Sequence, residues 1–342
     1  MVKETLSRLI EGEVLTASDA RGVMNEIMSG NATASQIASI VTILRMRGEA
    51  VSEMVGFAQA MKEHAVAIPH VEQDVMDTCG TGGDKAKTFN ISTATAIVLS
   101  ALGVKVAKHG NRAVSSKSGS ADVLEKLGIS IQSTPEQAAA SLKDYGMCFL
   151  FAPNYHHAMK HAAEPRKDIG FRTIFNLLGP MSNPANAKRQ LIGVFDTSYA
   201  EKMAETLREL GTERAMLVTG REGLDECSIT TMTDIVELRN GEITRYTLIP
   251  EEVGLQRGSL EDIQVSSSEE SAAVIERILQ STATTETSKD IVILNSAAGL
   301  YTAGAVSTIK EGVSVVQEAF IHGNVKRQYE RLRQERDGTH VK

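Results

Sequence analysis

A run of glycine and acidic residues near position 80 has the composition best suited to chemistry in this chain. Residues 77–84 read Asp-Thr-Cys-Gly-Thr-Gly-Gly-Asp and follow a short apolar run. Glycines allow positive φ angles and close backbone approach, and the free N–H groups of such a turn attract phosphate. The segment fits neither common nucleotide fingerprint, because no Gly-Lys-Ser/Thr follows and Lys85 stands where a third spaced glycine belongs. Alone, it is equally consistent with a phosphate-binding turn and with a tight turn that binds nothing.

A second segment, residues 108–120, combines three cations with four serines, two glycines, an amide and an imidazole. Hydroxyl groups and cations are donors that bind phosphate. Flexible linkers also contain Ser and Gly, but they seldom lie between a predicted strand and a predicted helix. The segment therefore favours a phosphate site.

An acidic pair and an aromatic, histidine-containing segment follow two other predicted strands. Asp225-Glu226 offers hard oxygen ligands suited to Mg²⁺, although a solvated acidic pair is the better interpretation when the pair is considered alone. Residues 151–160 precede Arg166, whose guanidinium can bind a carboxylate in bidentate fashion. His157 and His161 are four residues apart, but no carboxylate completes a zinc pattern, so a polar loop stays the competing interpretation. Residues 172–184 are interpreted as a structural helix, broken by Gly-Pro and Asn-Pro, that closes the site.

The elements that must position these segments change in type near residue 70. Earlier residues predict helices, including a capping box at Thr33–Gln36 and a helix capped by Ser52. Later residues alternate predicted strands with helices, which implies a mostly parallel sheet. The predicted strands are residues 75–77, 104–107, 129–131, 148–151, 215–218 and 291–294, with a hairpin around Asn240-Gly241. Because ligands bind at the carboxyl ends of parallel strands, all the polar segments are expected to share one site.

Composition narrows the class of protein. The 342 residues are 42% hydrophobic and 23% charged, as in soluble globular proteins. A net charge of -7 argues against a nucleic-acid-binding protein. Three widely spaced cysteines, Cys79, Cys148 and Cys227, predict reduced thiols that fill the core. The N-terminal residues carry acidic side chains and no continuous apolar run, so we expect a cytoplasmic protein without a membrane span.

Taken together, these segments resemble the anthranilate phosphoribosyltransferase family. The matching stretches are residues 77–84, 88–93, 108–128, 151–160 and 172–184 with the acidic pair, in the family's order. The resemblance implies an α/β fold of the nucleoside phosphorylase and phosphoribosyltransferase type. In it, a small α-helical domain (residues 1–70, to which helices from about 167–185 return) joins a larger α/β domain (residues 71–342) with a mostly parallel central sheet. It also implies a homodimer formed through the helical domain.

The reaction implied by the resemblance moves the phosphoribosyl group of 5-phosphoribosyl 1-pyrophosphate (PRPP) to the amine of anthranilate, with Mg²⁺ as cofactor. Donor-binding residues carried over by position are Gly80, Gly82, Gly83, Asp84, Thr88, Asn90, Ile91, Ser92, Thr93, Lys108, His109, Gly110, Asn111, Arg112, Ala113, Val114, Ser115, Ser116 and Ser120. The residues carried over for anthranilate are Gly80, Asn111, Arg166, Tyr155 and His156. Those carried over for Mg²⁺ are Ser92, Asp225 and Glu226. No general base is assigned, and His109 is the one candidate.

The sequence departs from the family pattern at Lys85, Ala113 and His157, none of which removes a predicted ligand-binding group. Three other functions stay open. A pyrimidine nucleoside phosphorylase shares this architecture but needs neither Mg²⁺ nor the acidic pair. A transferase on the same scaffold that uses another acceptor is the second, and a non-catalytic protein that binds phosphorylated metabolites is the third.

Overall fold

A computed structural model describes residues 1–84, 86–112, 118–282 and 284–336. Lys85 and the predicted donor contacts Ala113, Val114, Ser115 and Ser116 lie outside these ranges. The strands are β1 Met76–Gly80, β2 Val106–Gly110, β3 Met147–Phe151, β4 Arg189–Gly193, β5 Arg214–Gly220, β6 Thr233–Arg239 and β7 Glu242–Leu248. The helices are α1 Val2–Ile10, α2 Ala17–Met28, α3 Ala34–Arg47, α4 Val51–Glu63, α5 Ile91–Ala101, α6 Ser120–Lys126, α7 Pro135–Tyr145, α8 Ala152–Tyr155, α9 Lys160–Ile169, α10 Ile174–Leu178, α11 Thr197–Glu209, α12 Ser268–Leu279, α13 Glu286–Ala303, α14 Ile309–Ile321 and α15 Asn324–Arg336. Among the helices of these ranges, none is long and apolar enough to cross a membrane.

The N-terminal helices form a layer of their own, with ends that the sequence marks. The capping box at Thr33 and Gln36 is confirmed at the start of α3. The predicted cap at Ser52 is wrong, because Ala50 is the N-cap residue of α4. The Ser52 hydroxyl instead donates to the carbonyl oxygen of Leu15 at 2.7 Å, which ties α4 to the segment before α2. The predicted domain boundary at residue 70 stays a prediction.

The strands form one sheet in the order β3-β2-β1-β4-β5-β6-β7. The first five strands of this order are parallel, and β6 and β7 are antiparallel. The predicted mostly parallel central sheet is therefore confirmed, as is the hairpin, where Asn240 and Gly241 have φ of 53° and 81°. The order of the strands reverses at β1, which lies between β2 and β4, and a crevice opens at the carboxyl ends of strands at such a point.

Helices cover both faces of the sheet. On one face, α5 and the C-terminal helices pack with buried residues of β1, β2 and β5 around a core that includes Leu99 and Ile293. On the other face, the N-terminal helices, α10 and α11 share a second core with β4 and β5. The helices α9 and α10 pack against α3 and α4, so residues 160–178 join the two layers.

Two predicted strands are wrong. Residues 129–131 form no strand, although Ile129 and Ile131 are buried. Residues 291–294 lie inside α13, which begins after the cap residue Thr285 and ends at Gly304 with φ of 77°. Four consecutive apolar residues fit a buried helix as well as a strand, so their pattern alone does not distinguish the two.

Candidate active site

Asp225 fills the crevice between the carboxyl ends of β1 and β4. Its Oδ2 accepts a hydrogen bond from the backbone N–H of Gly82 at 2.8 Å. A Cβ atom built on Gly80 would lie 2.5 Å from the same oxygen, and one on Gly193 would lie 1.6 Å from the carbonyl oxygen of Asp225. These close approaches favour glycine at both strand ends. The structure also brings the glycine turn and the acidic pair together, as expected for segments that follow the carboxyl ends of parallel strands.

The N-terminus of α5 forms the next wall of the crevice. Asn90 caps this helix, its Oδ1 accepting from the N–H of Thr93 at 3.2 Å. The backbone of Ser92 hydrogen-bonds the Glu226 carboxylate, and the Thr78 hydroxyl donates to the carbonyl oxygen of Ser92 at 3.1 Å. Glu226 and Ser92 are thus neighbours at a helix N-terminus, where backbone N–H groups favour negative charge.

Lys108 is buried beside Ser92, at the edge of the crevice. Its ammonium group donates to the carbonyl oxygen of Thr78 at 2.5 Å and to Ser92 Oγ at 3.1 Å, and the side chain is 1% exposed. Burial lowers the pKa of Lys108, while the charges of Asp77 and Glu226 oppose that shift. Lys108 therefore holds the end of β1 against α5, and its expected contact with donor phosphate stays a prediction.

The carboxylates of the crevice are buried close to one another, and this raises their pKa values. Burial, followed by repulsion from Asp84, raises the pKa of Asp225 to about 8. Burial and repulsion from Asp225 raise the pKa of Glu226. Burial and neighbouring carboxylates thus disfavour the charged forms, although the charge of Lys108 partly offsets the shift of Glu226.

The donor atoms of the crevice fit Mg²⁺. In the described part of the chain, no three His, Cys, Asp or Glu residues form a complete metal site. Mg²⁺ does not need one, since it binds through one or two carboxylates, substrate phosphates and water. Asp225, Glu226 and the Ser92 hydroxyl supply hard oxygen atoms of this kind.

Asp77 anchors the strand ends from within the sheet. Its side chain is fully buried, and it accepts from the His109 N–H at 3.1 Å and from Asn183 Nδ2 at 2.7 Å. Asn183 also donates to the carbonyl oxygen of Ala107 at 2.8 Å. The segment after α10 is thereby fastened to β1 and β2, in agreement with its predicted structural role.

His109 and His156 form an uncharged pair beside this anchor. Their ring centroids are 5.0 Å apart, and each ring has a buried Nε2 without a partner among the described residues. Burial lowers the pKa of His109 to about 3 and that of His156 to about 4. Both rings are neutral near pH 7, and a base with a pKa near 3 accepts a proton poorly. His109 is accordingly a poor candidate for the general base.

Arg166 lies on α9, on the helical side of the site. Its guanidinium stacks over the Phe175 ring at 5.1 Å, and it has no carboxylate partner in the part of the chain that the structure describes. Burial lowers its pKa, although the group stays charged at neutral pH. A half-buried arginine that lacks a counter-ion is suited to a carboxylate ligand.

Two predicted contact residues, Tyr155 and Arg112, are engaged with other parts of the protein in this structure. Tyr155 is 1% exposed and packs in a small cluster with Ile68 and Leu150. It has almost no accessible surface in this structure, and its expected contact with anthranilate stays a prediction. Arg112 forms ion pairs with Asp122 at 2.8 Å and Glu125 at 2.6 Å, so its charge is engaged outside the crevice.

The remaining predicted residues surround the crevice or close its sides. Gly110 faces Ser120, because a Cβ atom there would lie 2.2 Å from Ser120 Oγ. That hydroxyl donates to the carbonyl oxygen of Asn111 at 3.3 Å. Thr88 pairs with Gln264 in an isolated bridge, and Ile91 is buried at the start of α5.

Of the cysteines, Cys148 and Cys227 are buried as predicted and Cys79 is half-buried.

Sequence reasoning missed Arg172, which touches the glycine turn, and the direct bond from Asn183 to Asp77. Both residues lie in the segment interpreted as structural. An arginine directly before a helix that follows the site was an available signal for the first. The hydrogen bond from Asn183 could have been anticipated from Asp77, because a carboxylate inside a short buried strand needs a hydrogen-bond donor.

Comparison with known proteins gives consistent relatives over the whole chain. Residues 3–65 match the model of the glycosyl transferase family helical bundle domain, and residues 72–326 match that of the a/b domain of the same family. Anthranilate phosphoribosyltransferase of Geobacillus kaustophilus is 58% identical over 97% of this chain and 98% of its own. That of Halalkalibacterium halodurans is 59% identical over 98% and 97%.

Solved structures agree with these relatives. The crystal structure of anthranilate phosphoribosyltransferase from Thermus thermophilus has a TM-score of 0.91 and 39% identity, over 97% of this chain and 99% of that one. The enzyme from Saccharomyces cerevisiae, in complex with PRPP and Mg, has a TM-score of 0.88 and 25% identity over 98% of both chains.

Proposed function

The chain belongs to the anthranilate phosphoribosyltransferase family of glycosyl transferases, and on that premise we propose how its crevice carries out the family's reaction. The reaction transfers the phosphoribosyl group of PRPP to the amine of anthranilate in tryptophan biosynthesis. It yields N-(5-phosphoribosyl)anthranilate and pyrophosphate. The observation that carries the proposal is the hydrogen bond from Gly82 N–H to Asp225, because it joins the phosphate-binding turn and the acidic pair in one crevice.

The glycine turn and the N-terminus of α5 bind the pyrophosphate end of the donor. Gly82 and Gly83 have φ of 70° and 76°, a conformation that exposes backbone N–H groups to an anion. Asn90 and Thr93 fix the first turn of α5, whose N-terminal N–H groups favour phosphate. The Ser92 hydroxyl is held toward the same crevice by Lys108.

Asp225, Glu226 and Ser92 hold Mg²⁺ beside the donor. When bound there, the ion would supply positive charge beside the pyrophosphate group. The two carboxylates are suited to such a cation, because burial and repulsion from Asp84 raise the pKa of Asp225, while burial and repulsion from Asp225 raise that of Glu226. The related enzyme from Saccharomyces cerevisiae, whose structure holds PRPP and Mg, supports this assignment.

Anthranilate binds between the helical layer and the sheet. Arg166 receives its carboxylate as a bidentate pair, and Gly80 and Asn111 line the approach from the sheet. The neutral rings of His109 and His156, tilted 48° to each other, offer weakly polar ring atoms to an aromatic acceptor. This arrangement orients the amine toward C1 of the donor, and orientation supplies much of the rate of such a step.

The transfer breaks the bond between C1 and the pyrophosphate oxygen and forms a bond between C1 and the amine nitrogen. Negative charge grows on the pyrophosphate as it leaves, and the backbone N–H groups of the turn stabilise that charge. The nitrogen becomes acidic once it is bonded to C1, so its proton can pass to water. No strong base is required, in keeping with the low pKa of His109.

A substrate-omission assay tests this function. The protein, PRPP, Mg²⁺ and anthranilate are mixed, and the loss of anthranilate fluorescence is followed together with pyrophosphate release. We expect equal amounts of anthranilate consumed and pyrophosphate released, and no reaction when any one component is omitted. Phosphorolysis of thymidine by the same sample, without anthranilate turnover, would instead indicate a nucleoside phosphorylase. The homodimer and the cytoplasmic location stay predictions.

A further inference from the structure

Arg172 is a cation that the donor site described above does not use. It lies between Gly170, where α9 ends, and Thr173, the N-cap residue of α10. Its guanidinium stacks over the Phe195 ring at 4.1 Å. The side chain is half-buried, and within the described ranges of the chain it has no carboxylate or hydrogen-bond partner. A positive charge held in place by an aromatic ring is prepared to meet an anion.

The edge of this guanidinium rests on the glycine turn. A Cβ atom built on Gly83 would lie 2.5 Å from Arg172 Nη2 and 2.7 Å from its Nε. Gly83 also has φ of 76°, so the backbone angle favours glycine, and a side chain there would push the guanidinium away from the turn. The contact brings a cation of the helical layer to the backbone that receives the pyrophosphate.

The two other cations predicted for the donor site have partners already. Lys108 is buried and donates to Thr78 and Ser92, and Arg112 is paired with two carboxylates on the surface. The turn itself carries Asp84, which repels Asp225. The anion-binding side of the turn thus needs a cation that is not engaged by the protein.

Resting on the proposed function, we propose that Arg172 binds the leaving pyrophosphate. Its planar fork of N–H groups pairs with phosphate oxygens in bidentate fashion, and the Phe195 ring holds the fork against Gly83. The negative charge that develops on pyrophosphate as the C1–O bond breaks is shared between this guanidinium and the N–H groups of the turn. Arg172 therefore acts on the donor, whereas Arg166 acts on the acceptor.

The test compares Arg172→Gln with Arg45→Gln. Arg45 stacks over Tyr199 at 5.6 Å, in contact with the same aromatic pair, since the Tyr199 and Phe195 rings are 5.4 Å apart. Arg45→Gln therefore removes the same charge from the arginine on the neighbouring ring of this aromatic pair. Calorimetry measures the Kd for pyrophosphate with Mg²⁺, and steady-state kinetics measure KM for PRPP and for anthranilate.

We expect Arg172→Gln to raise the pyrophosphate Kd and the PRPP KM roughly 10- to 100-fold, as loss of a charged hydrogen-bond pair does. The anthranilate KM should stay within about threefold, and Arg45→Gln should leave all three constants within about twofold. An unchanged Kd, a rise in the anthranilate KM alone, or equal effects of both variants would overturn the assignment.

If Arg172→Gln does not fold, the same measurements are made on Arg172→Lys. It keeps the charge but loses the fork, so a smaller rise of roughly 3- to 10-fold in the pyrophosphate Kd is expected; no rise contradicts the proposal. The calorimetric measurement also separates this inference from the proposed function. If the wild type binds pyrophosphate more tightly than Arg172→Gln but does not consume anthranilate, the proposed function is refuted and the pyrophosphate site at Arg172 still stands.

Discussion

Replacing Gly193 by alanine should disable the crevice while preserving the fold. Gly193 ends β4, which is hydrogen-bonded to β1 on one side and β5 on the other, so the strand has little room to move. A Cβ atom at this position would lie 1.6 Å from the carbonyl oxygen of Asp225. The segment that carries Asp225 must therefore move away.

The size of the effect follows from that distance. Carbon and carbonyl oxygen approach each other to about 3.3 Å in weak C–H contacts, so Asp225 must shift by roughly 1.7 Å relative to the strand end. Such a shift breaks the 2.8 Å bond to Gly82 and separates the acidic pair from the turn. A misplacement of about 1 Å near reacting groups can reduce a rate about 100-fold. We expect at least that loss in kcat/KM, with a loss of stability of about 1–3 kcal/mol from overpacking.

Gly56→Ala is the matched control. Its Cβ atom would lie 2.2 Å from the carbonyl oxygen of Ala17, a comparable clash inside the helical layer and away from the crevice. Both variants should unfold at lower urea concentration than the wild type, but only Gly193→Ala should lose activity per folded molecule and require more Mg²⁺. A Gly193→Ala enzyme within about threefold of wild-type activity, with unchanged Mg²⁺ dependence, would refute the reasoning.

Three further predictions address the acceptor, the anchor and the histidines. Arg166→Gln should raise the KM for anthranilate roughly tenfold or more and leave that for PRPP within about threefold, because it removes a charged carboxylate pair; equal changes in steady-state kinetics would contradict this. Asn183→Ala leaves the buried Asp77 without one donor and should cost about 1–3 kcal/mol in urea unfolding, whereas unchanged stability would show that the bond is not needed. The pKa of His109 is about 3 when folded and near 6.5 when unfolded, so the unfolded chain gains the proton and stability falls as pH drops from 6.5 toward 3. His109→Gln should make that decline shallower by up to about 1.4 kcal/mol per pH unit in unfolding measured from pH 6 to 4, and identical slopes would argue against a buried neutral ring.

Much of the site's position could be predicted because parallel strands bring their carboxyl ends to one edge. That rule alone places the glycine turn after β1 near Asp225, which follows β5. The capping box of α3 and the Asn240-Gly241 hairpin were also predictable, since local side chains and backbone angles determine them. These features depend on a few neighbouring residues.

Features that depend on packing between distant segments were not predictable. Residues 291–294 have the pattern of a buried strand, but in the structure they are the buried middle of the long helix α13. The sequence does not show that the side chains of Tyr155 and Lys108 are buried, because their burial depends on elements far along the chain. The contact of Arg172 with Gly83 likewise requires the helical layer to pack on the sheet.

If this crevice joins anthranilate to the sugar donor with the aid of Asp225 and a bound cation, consumption of anthranilate and release of pyrophosphate must be coupled. The most direct measurement is the ratio of pyrophosphate released to anthranilate consumed, with Mg²⁺ titrated, for the wild type and Asp225→Asn. We expect a ratio of one for the wild type, no turnover after chelation, and a much weaker response to Mg²⁺ in the variant. Pyrophosphate release without consumption of anthranilate, or a variant with the wild-type Mg²⁺ response, would contradict it.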